Sequence, residues 1–221
     1  MTVESFRSSL LFRAVLAACT ATASIAVLGA ERAAQDEGNT GDGVHVLWSQ
    51  RHGYPWGSGV SQNFEDIFEA YDSAKADDFK VPKAHTWVIE EVYVVGRYLH
   101  GSGPPRSEQV TFYKDTNGLP GDVVATYEVV GDLGGGAGSF RMRIPKTALE
   151  PGVYWLSVVA NMDYAVGGEW LWAISTARRL SPSAWENPGG AYRQGCPTWC
   201  RDDINHSNVM FELKGRERPA P

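Results

Sequence analysis

The sequence predicts an all-β protein, an antiparallel sandwich or barrel, and three observations lead to this fold class. Apolar and polar residues alternate in several short segments, which is the pattern of strands with one buried face. Turn-forming residues separate these segments, and the chain of 221 residues holds 24 glycines and 12 prolines. With 43% hydrophobic and 21% charged residues, the composition is that of a folded globular protein.

Eight segments carry the pattern of a strand. In the clearest of them, Phe140, Met142 and Ile144 fall on one face while two arginines take the other. The longest, Thr86–Leu99, is apolar on both faces in places, which is typical of a central strand, and Gly96 suits a bulge within it. The eight segments, in chain order, are Val44–Trp48, Thr86–Leu99, Gln109–Lys114, Val123–Val130, Ser139–Ile144, Val153–Ala160, Trp170–Ser175 and Asn208–Lys214.

One segment before the predicted sheets has a different period. Four of its residues share the helical spacing of i, i+3, i+4 and i+7: Phe64, Ile67, Phe68 and Tyr71. This spacing predicts a short surface helix, because it places all four side chains on one face. The alternative is an extended strap whose aromatic side chains dock on the sandwich.

The first thirty residues predict a secretory signal peptide. Arg7 and Arg13 give a basic start, and the 17 residues from Ala14 to Ala30 carry no charge. A polar stretch begins at Glu31. This run is rich in alanine and threonine, and it is shorter than the about 20 apolar residues that a bilayer-spanning helix needs. We therefore expect cleavage near Ala30 and a secreted, periplasmic or extracellular protein.

A bacterial lipoprotein signal is the alternative for this segment. Leu16-Ala17-Ala18-Cys19 resembles the lipobox, in which the cysteine is lipidated and becomes the new N-terminus. Only five residues separate Arg13 from Cys19, however, and the chain stays apolar beyond Cys19. Cleavage near Ala30 fits this layout better, and lipidation at Cys19 remains the second hypothesis.

Beyond the signal peptide we expect one domain. Residues 31–43 are polar and small and predict a flexible lead-in, residues 44–215 predict a single β-sandwich domain, and residues 216–221 predict a polar tail. After residue 30 no apolar run approaches the about 20 residues that span a bilayer. The formal net charge of −6 argues against a nucleic-acid partner, since lysine and arginine supply most affinity for phosphate.

The order of several motifs resembles a group of secreted bacterial β-sandwich domains. The similarity extends from about Ser73 to Gly215 and is carried by four elements: Asp77-Asp78-Phe79 (DDF), Tyr113–Gly121 (YxDxxGLPG), Gly152–Val158 (GxYWLSV) and Trp185–Gly190 (WxNPGG). The strand entry around Pro151-Gly152 is also similar to accessory domains of the pre-peptidase C-terminal type. The resemblance implies a jelly-roll-like antiparallel sandwich of about eight to nine strands outside the cytoplasm, with no established catalytic residues.

The three cysteines form an odd set that the predicted signal peptide explains. Cys19 lies in the segment expected to be removed, which leaves Cys196 and Cys200 as a pair in an oxidising compartment. A zinc site needs four ligands, and no second pair accompanies this one. We therefore expect a structural disulfide between Cys196 and Cys200 that fixes the shape of the loop around Trp199.

One turn-like segment offers oxygen ligands for a cation. Asp115, Asn117 and Asp122 place carboxylate and amide oxygens at i, i+2 and i+7, and calcium takes such oxygens. The alternative is a hairpin turn, in which aspartate, asparagine and glycine serve without a metal. A structural calcium ion is the only cofactor that the sequence suggests.

The eight tryptophans raise the question of ligand stacking. Trp185, Tyr192 and Trp199 fall in loop-like sequence, where aromatic rings can stack on the apolar faces of sugars. The competing interpretation is packing, because a sandwich of this size needs large side chains between its sheets. We take these three residues as the candidate ligand-binding residues.

No catalytic motif stands out. The sequence contains neither HExxH nor GxSxG, and the neighbours Glu90 and Glu91 would point to opposite faces of a strand. We expect a non-catalytic exported module that binds carbohydrate or another cell-envelope component, or that serves as surface structure. One alternative is a structural or accessory domain without a small-molecule ligand. The other is a secreted hydrolase whose carboxylates are dispersed in the sequence.

Overall fold

The computed structural model describes residues 43–134, 138–177, 179–202 and 207–221. The predicted signal peptide, with Cys19, and residues 31–42 of the predicted lead-in lie outside the described residues. Within them the chain forms sixteen strands, in chain order β1 His45–Ser49, β2 Gly53–Val60, β3 Gln62–Asn63, β4 Ala74–Val81, β5 His85–Val94, β6 Gly96–Leu99, β7 Ser107–Asp115, β8 Pro120–Val129, β9 Asp132–Leu133, β10 Phe140–Leu149, β11 Gly152–Asn161, β12 Glu169–Ser175, β13 Ala184–Glu186, β14 Cys200–Arg201, β15 Asn208–Val209 and β16 Phe211–Pro219.

Two sheets form a jelly-roll sandwich. The first has the order β1-β16-β5-β10-β9, and the second has the order β14-β13-β4-β11-β7-β8, with β3 pairing in parallel to β11. Numbered one to eight along the chain, the framework strands β1, β4, β5, β7, β8, β10, β11 and β16 run 1-8-3-6 in the first sheet and 2-7-4-5 in the second. That is the order of two interlocked Greek keys. The predicted all-β, jelly-roll-like sandwich is therefore confirmed.

The core lies between these two sheets, and strand alternation builds it. In β10, Phe140, Met142 and Ile144 are buried, whereas Arg141 and Arg143 are exposed, as the sequence pattern predicts. Each large apolar side chain removed from water in this way contributes about 1.5–3 kcal/mol to folding. The bulkiest fully buried apolar side chains of this cluster are Phe79, Phe112, Phe140, Phe211, Trp170 and Trp172.

A third, smaller sheet of β15, β12, β2 and β6 adjoins the sandwich, and at two points the chain passes between this sheet and the first with only one residue between strands. Val95 separates β5 from β6, and Met210 separates β15 from β16. The backbones of Val95, Met210 and Ala173 bond to one another in a ring of three hydrogen bonds of 2.8–3.2 Å. The predicted strands Thr86–Leu99 and Asn208–Lys214 are therefore each divided where the chain passes from one sheet to another, and the first division falls beside the predicted bulge at Gly96.

The strand count was underestimated, since the structure has sixteen strands instead of eight to nine. The surplus consists mainly of short strands and of strands divided at crossing points, which are too brief to show a period in the sequence. The C-terminal strand is also longer than expected, because β16 continues to Pro219 opposite His85. Most of the predicted polar tail at residues 216–221 is therefore strand. Backbone pairing there is independent of the polar side chains.

The segment with helical spacing forms a 3₁₀ helix at Asp66–Tyr71, and a second short helix, of the α type, spans Tyr164–Gly167. The 3₁₀ helix is acidic in its first turn, at Asp66 and Glu69, and has no basic residue in its last turn. In the described ranges, no helix has the length and apolar character needed to span a membrane.

Candidate functional site

Residues 63–72, which we call the strap, begin at the last residue of β3, lead towards β4 and carry the 3₁₀ helix. The two ends of the strap are joined, since the Phe64 amide donates to Asp72 Oδ1 at 2.7 Å. A second anchor is Glu65, whose Oε2 accepts from the Tyr164 amide at 2.6 Å. The strap is thereby fixed to the short α-helix, although most of its own side chains remain partly exposed.

Asn187, in the WxNPGG element, holds the other end of the strap. Its side chain is 2% exposed and donates to the carbonyl oxygens of Ala70 and Asp72 at 2.9 and 2.8 Å. Its Oδ1 accepts from the Tyr192 amide at 3.1 Å. One amide group therefore sets the position of the strap relative to the loop that carries Tyr192.

The two glycines of the same element are favoured for different reasons. A Cβ at Gly189 would lie 2.4 Å from Ala70 Cα, so only glycine lets the loop backbone approach the strap this closely. Gly190 has a φ of +71°, a conformation that favours glycine. The WxNPGG element therefore holds the C-terminal end of the strap in place.

An aromatic cavity of about 280 Å³ lies between the strap and this loop. Five rings and one carboxylate line it: Phe64, Phe68, Tyr71, Tyr164, Tyr192 and Glu169. The Phe68 and Tyr164 rings meet edge to face, with centroids 5.6 Å apart, and the Tyr71 and Tyr192 rings do the same at 5.3 Å. The aromatic rings therefore form most of the lining of the aromatic cavity.

Glu169 is the acidic group of the aromatic cavity. It comes from the first residue of β12, and its Oε1 accepts a hydrogen bond from the Tyr192 hydroxyl at 3.1 Å. Burial and the negative charge of Glu169 raise the pKa of Tyr192, so the hydroxyl stays protonated and remains a donor at neutral pH.

A polar groove of about 600 Å³ lies on the other side of the strap, over the outer face of the second sheet. Its floor comes from alternate residues of β7 and β11, because residues two apart on a strand share a face. The strap and the loop after β13 form its rim. The side chains with polar groups that line it are Asn63, Glu69, Asp72, Ser73, Gln109, Tyr113, Ser157 and Glu186.

Ser157 is the unusual residue of the polar groove. Its side chain is almost fully buried, and its Oγ has no hydrogen-bond partner. Burial raises the pKa of Glu186, and burial together with the neighbouring Glu69 raises the pKa of Asp72. The polar groove therefore combines an unsatisfied hydroxyl with two carboxyl groups that hold a proton more readily than in water.

The structure places the three candidate ligand-binding residues in two different surroundings. Trp185 is 7% exposed, donates from Nε1 to the Val60 carbonyl and packs against the Tyr192 ring at 5.8 Å. Tyr192 lines the aromatic cavity. Trp199 lies on the outer face of the second sheet, where its ring meets that of Tyr113 at 5.7 Å. The three rings form no common platform, because Trp185 and its strand neighbour Ala184, which packs with Trp199, point to opposite faces.

The disulfide between Cys196 and Cys200 is present, as the sequence predicts. The Cys196 carbonyl accepts from the Asn187 amide at 2.7 Å. The disulfide loop therefore supports Asn187, which holds the strap, in addition to shaping the backbone around Trp199.

The segment that suggested calcium is a hairpin turn in which the protein itself uses the Asp115 carboxylate. Asp115 Oδ1 accepts from Trp155 Nε1 at 2.8 Å and Oδ2 from the Gly118 amide at 3.3 Å. Asn117 has a φ of 57°, its carbonyl accepts from Arg201, and Asp122 is exposed. Among the residues described, no cluster of three or more histidine, cysteine, aspartate or glutamate side chains could hold a metal ion.

Sequence reasoning missed Glu169, Ser157 and Asn187 as site residues. Glu169 and Ser157 lie on strands whose pattern carried no signal beyond burial. Asn187 was inside a quoted motif, but its partners on the strap are 115 and 117 residues away in sequence. The Asn-Pro-Gly-Gly string was the one local signal that a special backbone contact was needed there.

A scan against protein-family models, a search of curated proteins and a search of solved structures each found no match for this chain.

Proposed function

We propose that this chain is a non-catalytic extracellular binding module and that its polar groove binds carbohydrate. The observation that carries the proposal is the buried Ser157 hydroxyl, which lines the polar groove without a hydrogen-bond partner. A buried polar group left unpaired costs about 1–3 kcal/mol. A ligand hydroxyl that reaches Ser157 would remove this cost, so the polar groove favours a ligand rich in hydroxyl groups.

The other side chains of the polar groove suit the same ligand. The Gln109 amide can both donate and accept hydrogen bonds, and the Glu186 carboxyl group can do so when protonated. The Tyr113 ring offers an apolar face for a sugar ring, and Trp199 packs against it. A groove of this volume with a few convergent polar groups is typical of ligand sites.

The location and the family belong to the same proposal. The predicted signal peptide and the resemblance to secreted bacterial sandwich domains both favour a protein that works outside the cytoplasm. The disulfide between Cys196 and Cys200 is compatible with that location, because disulfides persist in oxidising compartments.

A polysaccharide panel followed by calorimetric titration tests the polar groove. We expect the native chain to bind at least one glycan and Ser157→Ala to weaken that binding about two- to tenfold, the equivalent of one hydrogen bond. The same substitution should leave the unfolding free energy unchanged or raise it, since it removes an unsatisfied hydroxyl. A merely structural role for Ser157 would give the reverse result.

Ser183→Ala is the matched control. Ser183 Oγ is likewise buried without a hydrogen-bond partner, but Ser183 does not line the polar groove. The control should therefore keep full glycan affinity. A native chain that binds no glycan of the panel would overturn the proposal and favour a structural or accessory domain without a small-molecule ligand.

A secreted hydrolase is the second candidate function, favoured by one observation. Asp72 and Glu186 both line the polar groove, and burial raises the pKa of each. Glycosidases work with one protonated and one ionised carboxyl group. Release of reducing ends from a bound polysaccharide, abolished by Glu186→Gln, would replace the binding-module proposal with this one.

A further inference from the structure

The aromatic cavity is a second site, separate from the polar groove. The residues that line the two spaces do not overlap, so an inference about the aromatic cavity does not depend on carbohydrate binding. Its walls are contributed by the strap, the short α-helix, β12 and the loop after β13. Tyr71 and Tyr164 remain 41% and 37% exposed, so a ligand can reach the rings from solvent.

The rings make the aromatic cavity attractive to cations. Each aromatic face carries partial negative charge, and a cation within about 6 Å of a ring centroid gains about 0.5–2 kcal/mol from it. The rings that line the aromatic cavity lie at steep angles to one another, as Tyr71 and Tyr192 do at 85°, so they approach the space from different directions. An anion would meet the same faces unfavourably.

The charges around the aromatic cavity point to the same class of ligand. Glu169 is the one acidic residue among the six residues described as lining it, and the other five are phenylalanine and tyrosine. Glu65, whose carboxylate accepts from the amide of the cavity residue Tyr164, adds negative charge beside one wall. Arg106, the basic residue whose charge acts on Glu65, is paired with Asp163 at 2.7 Å.

We propose that the aromatic cavity binds a quaternary ammonium group, such as the trimethylammonium end of choline. Methyl groups on the nitrogen can contact the five rings, while the positive charge faces Glu169. A primary ammonium would fit less well, because it needs several hydrogen-bond acceptors and the aromatic cavity offers chiefly ring faces. The Tyr192 hydroxyl, which donates to Glu169, holds the carboxylate in place.

Calorimetric titration of the full chain with choline, and with its neutral isostere in which carbon replaces nitrogen, tests the proposal. The two probes have the same shape, so they differ only in charge. We expect choline to bind at least tenfold more tightly than the isostere. Equal affinities would show an apolar pocket without preference for a cation and would overturn the proposal, as would a failure of choline to bind.

Two substitutions locate the site, and a third is the control. Tyr71→Ala and Glu169→Gln should each weaken choline binding about fivefold or more, by removing one wall or the countercharge. Asp122→Asn removes the same charge from an exposed loop outside the aromatic cavity and should leave the affinity within about twofold. Equal losses in Glu169→Gln and Asp122→Asn would assign the effect to net charge and overturn the site.

Tyr192→Phe tests whether a loss of choline affinity could come from misfolding. It keeps the ring and the packing against Trp185 but removes the hydroxyl that holds Glu169. We expect an intact unfolding transition and an intermediate loss of choline affinity.

Co-sedimentation with phosphatidylcholine vesicles then separates the two sources of the quaternary ammonium group. Pelleting assigns the site to a lipid headgroup, and choline binding without pelleting assigns it to a free solute.

Discussion

The Asp77 carboxylate is fully buried where the three sheets meet, and it accepts four hydrogen bonds. Gln50 Nε2 and the Val209 amide donate to Oδ2, both at 2.6 Å. Asn208 Nδ2 and the Asp78 amide donate to Oδ1 at 2.8 and 2.9 Å. Burial raises the pKa of Asp77 to about 8, and the bonds from Asn208 and Val209 oppose that rise. One side chain therefore satisfies donors from β4, from β15 and from Gln50, the residue that follows β1.

Asp77→Ala should lower the unfolding free energy by about 3–5 kcal/mol, because it leaves several buried donors without an acceptor. Urea denaturation followed by tryptophan fluorescence measures the loss. Asp122→Ala, at an exposed position, should change stability by less than about 0.5 kcal/mol. A loss below 1 kcal/mol for Asp77→Ala, on the order of a single ordinary hydrogen bond, would contradict the central role of this carboxylate.

This role of Asp77 could not be predicted from the sequence. The DDF string identifies the residue, but Gln50 and Asn208 lie 27 and 131 residues away. A strand pattern shows that a residue is on one face and not which donors the fold brings to it. For the same reason the sequence could not identify Ser157 and Glu169 as site residues. Tyr192 could be identified as a candidate, because an aromatic residue in loop sequence is itself a signal.

At the scale of elements, the strap depends on Asn187 for its position. Asn187→Ala would remove three hydrogen bonds and leave two strap carbonyls without their donor. We expect a loss of about 2–4 kcal/mol in unfolding free energy and a weaker choline affinity, because Tyr71 and Tyr192 would no longer be held together. Thermal unfolding and titration of the same samples measure both effects.

Asn63→Ala is the matched control for this prediction. Asn63 also lies in the strap, but its side chain makes one hydrogen bond, to Asn161 Oδ1 at 2.8 Å. It should cost about 1 kcal/mol and leave the choline affinity unchanged. An Asn187→Ala variant that binds choline like the native chain would show that the strap holds its position without this residue.

The long strands were predictable from alternation and their breaks were not. β10 could be recognised because its buried and exposed residues alternate strictly. The breaks at Val95 and Met210 depend on hydrogen bonds to Ala173, which is distant from Val95 in sequence. The helical spacing of the strap was a true signal, although the helix formed is 3₁₀ and its aromatic side chains enclose a cavity that periodicity cannot reveal.

At the scale of the whole molecule, several buried carboxyl groups have raised pKa values. Burial raises the pKa of Asp77 to about 8, that of Glu108 to about 7 and that of Asp78 to about 6. Burial also raises the pKa of Asp72 and Glu186. Between pH 4 and pH 8 the folded chain therefore retains protons that the unfolded chain has released.

The unfolding free energy should consequently fall as the pH rises from about 4 to 8. The stabilisation is complete below the ordinary pKa of these groups, and it is lost as the pH passes their folded values. Urea titrations across this range measure the slope. Glu108→Gln should flatten it most near pH 7, while Asp122→Asn should leave it unchanged. Stability that rises towards pH 8 would contradict the assignment.

The disulfide has a consequence beyond the loop that it closes. Cys200 begins β14, a strand of two residues at the edge of the second sheet, so the covalent loop lies where backbone groups would otherwise be free to pair with another chain. Very short edge strands limit such pairing. The opposite edge, β8, is ten residues long and has no comparable cover in the described structure. The two edges of the second sheet therefore differ: β14 is short and lies beside a disulfide, whereas β8 is long.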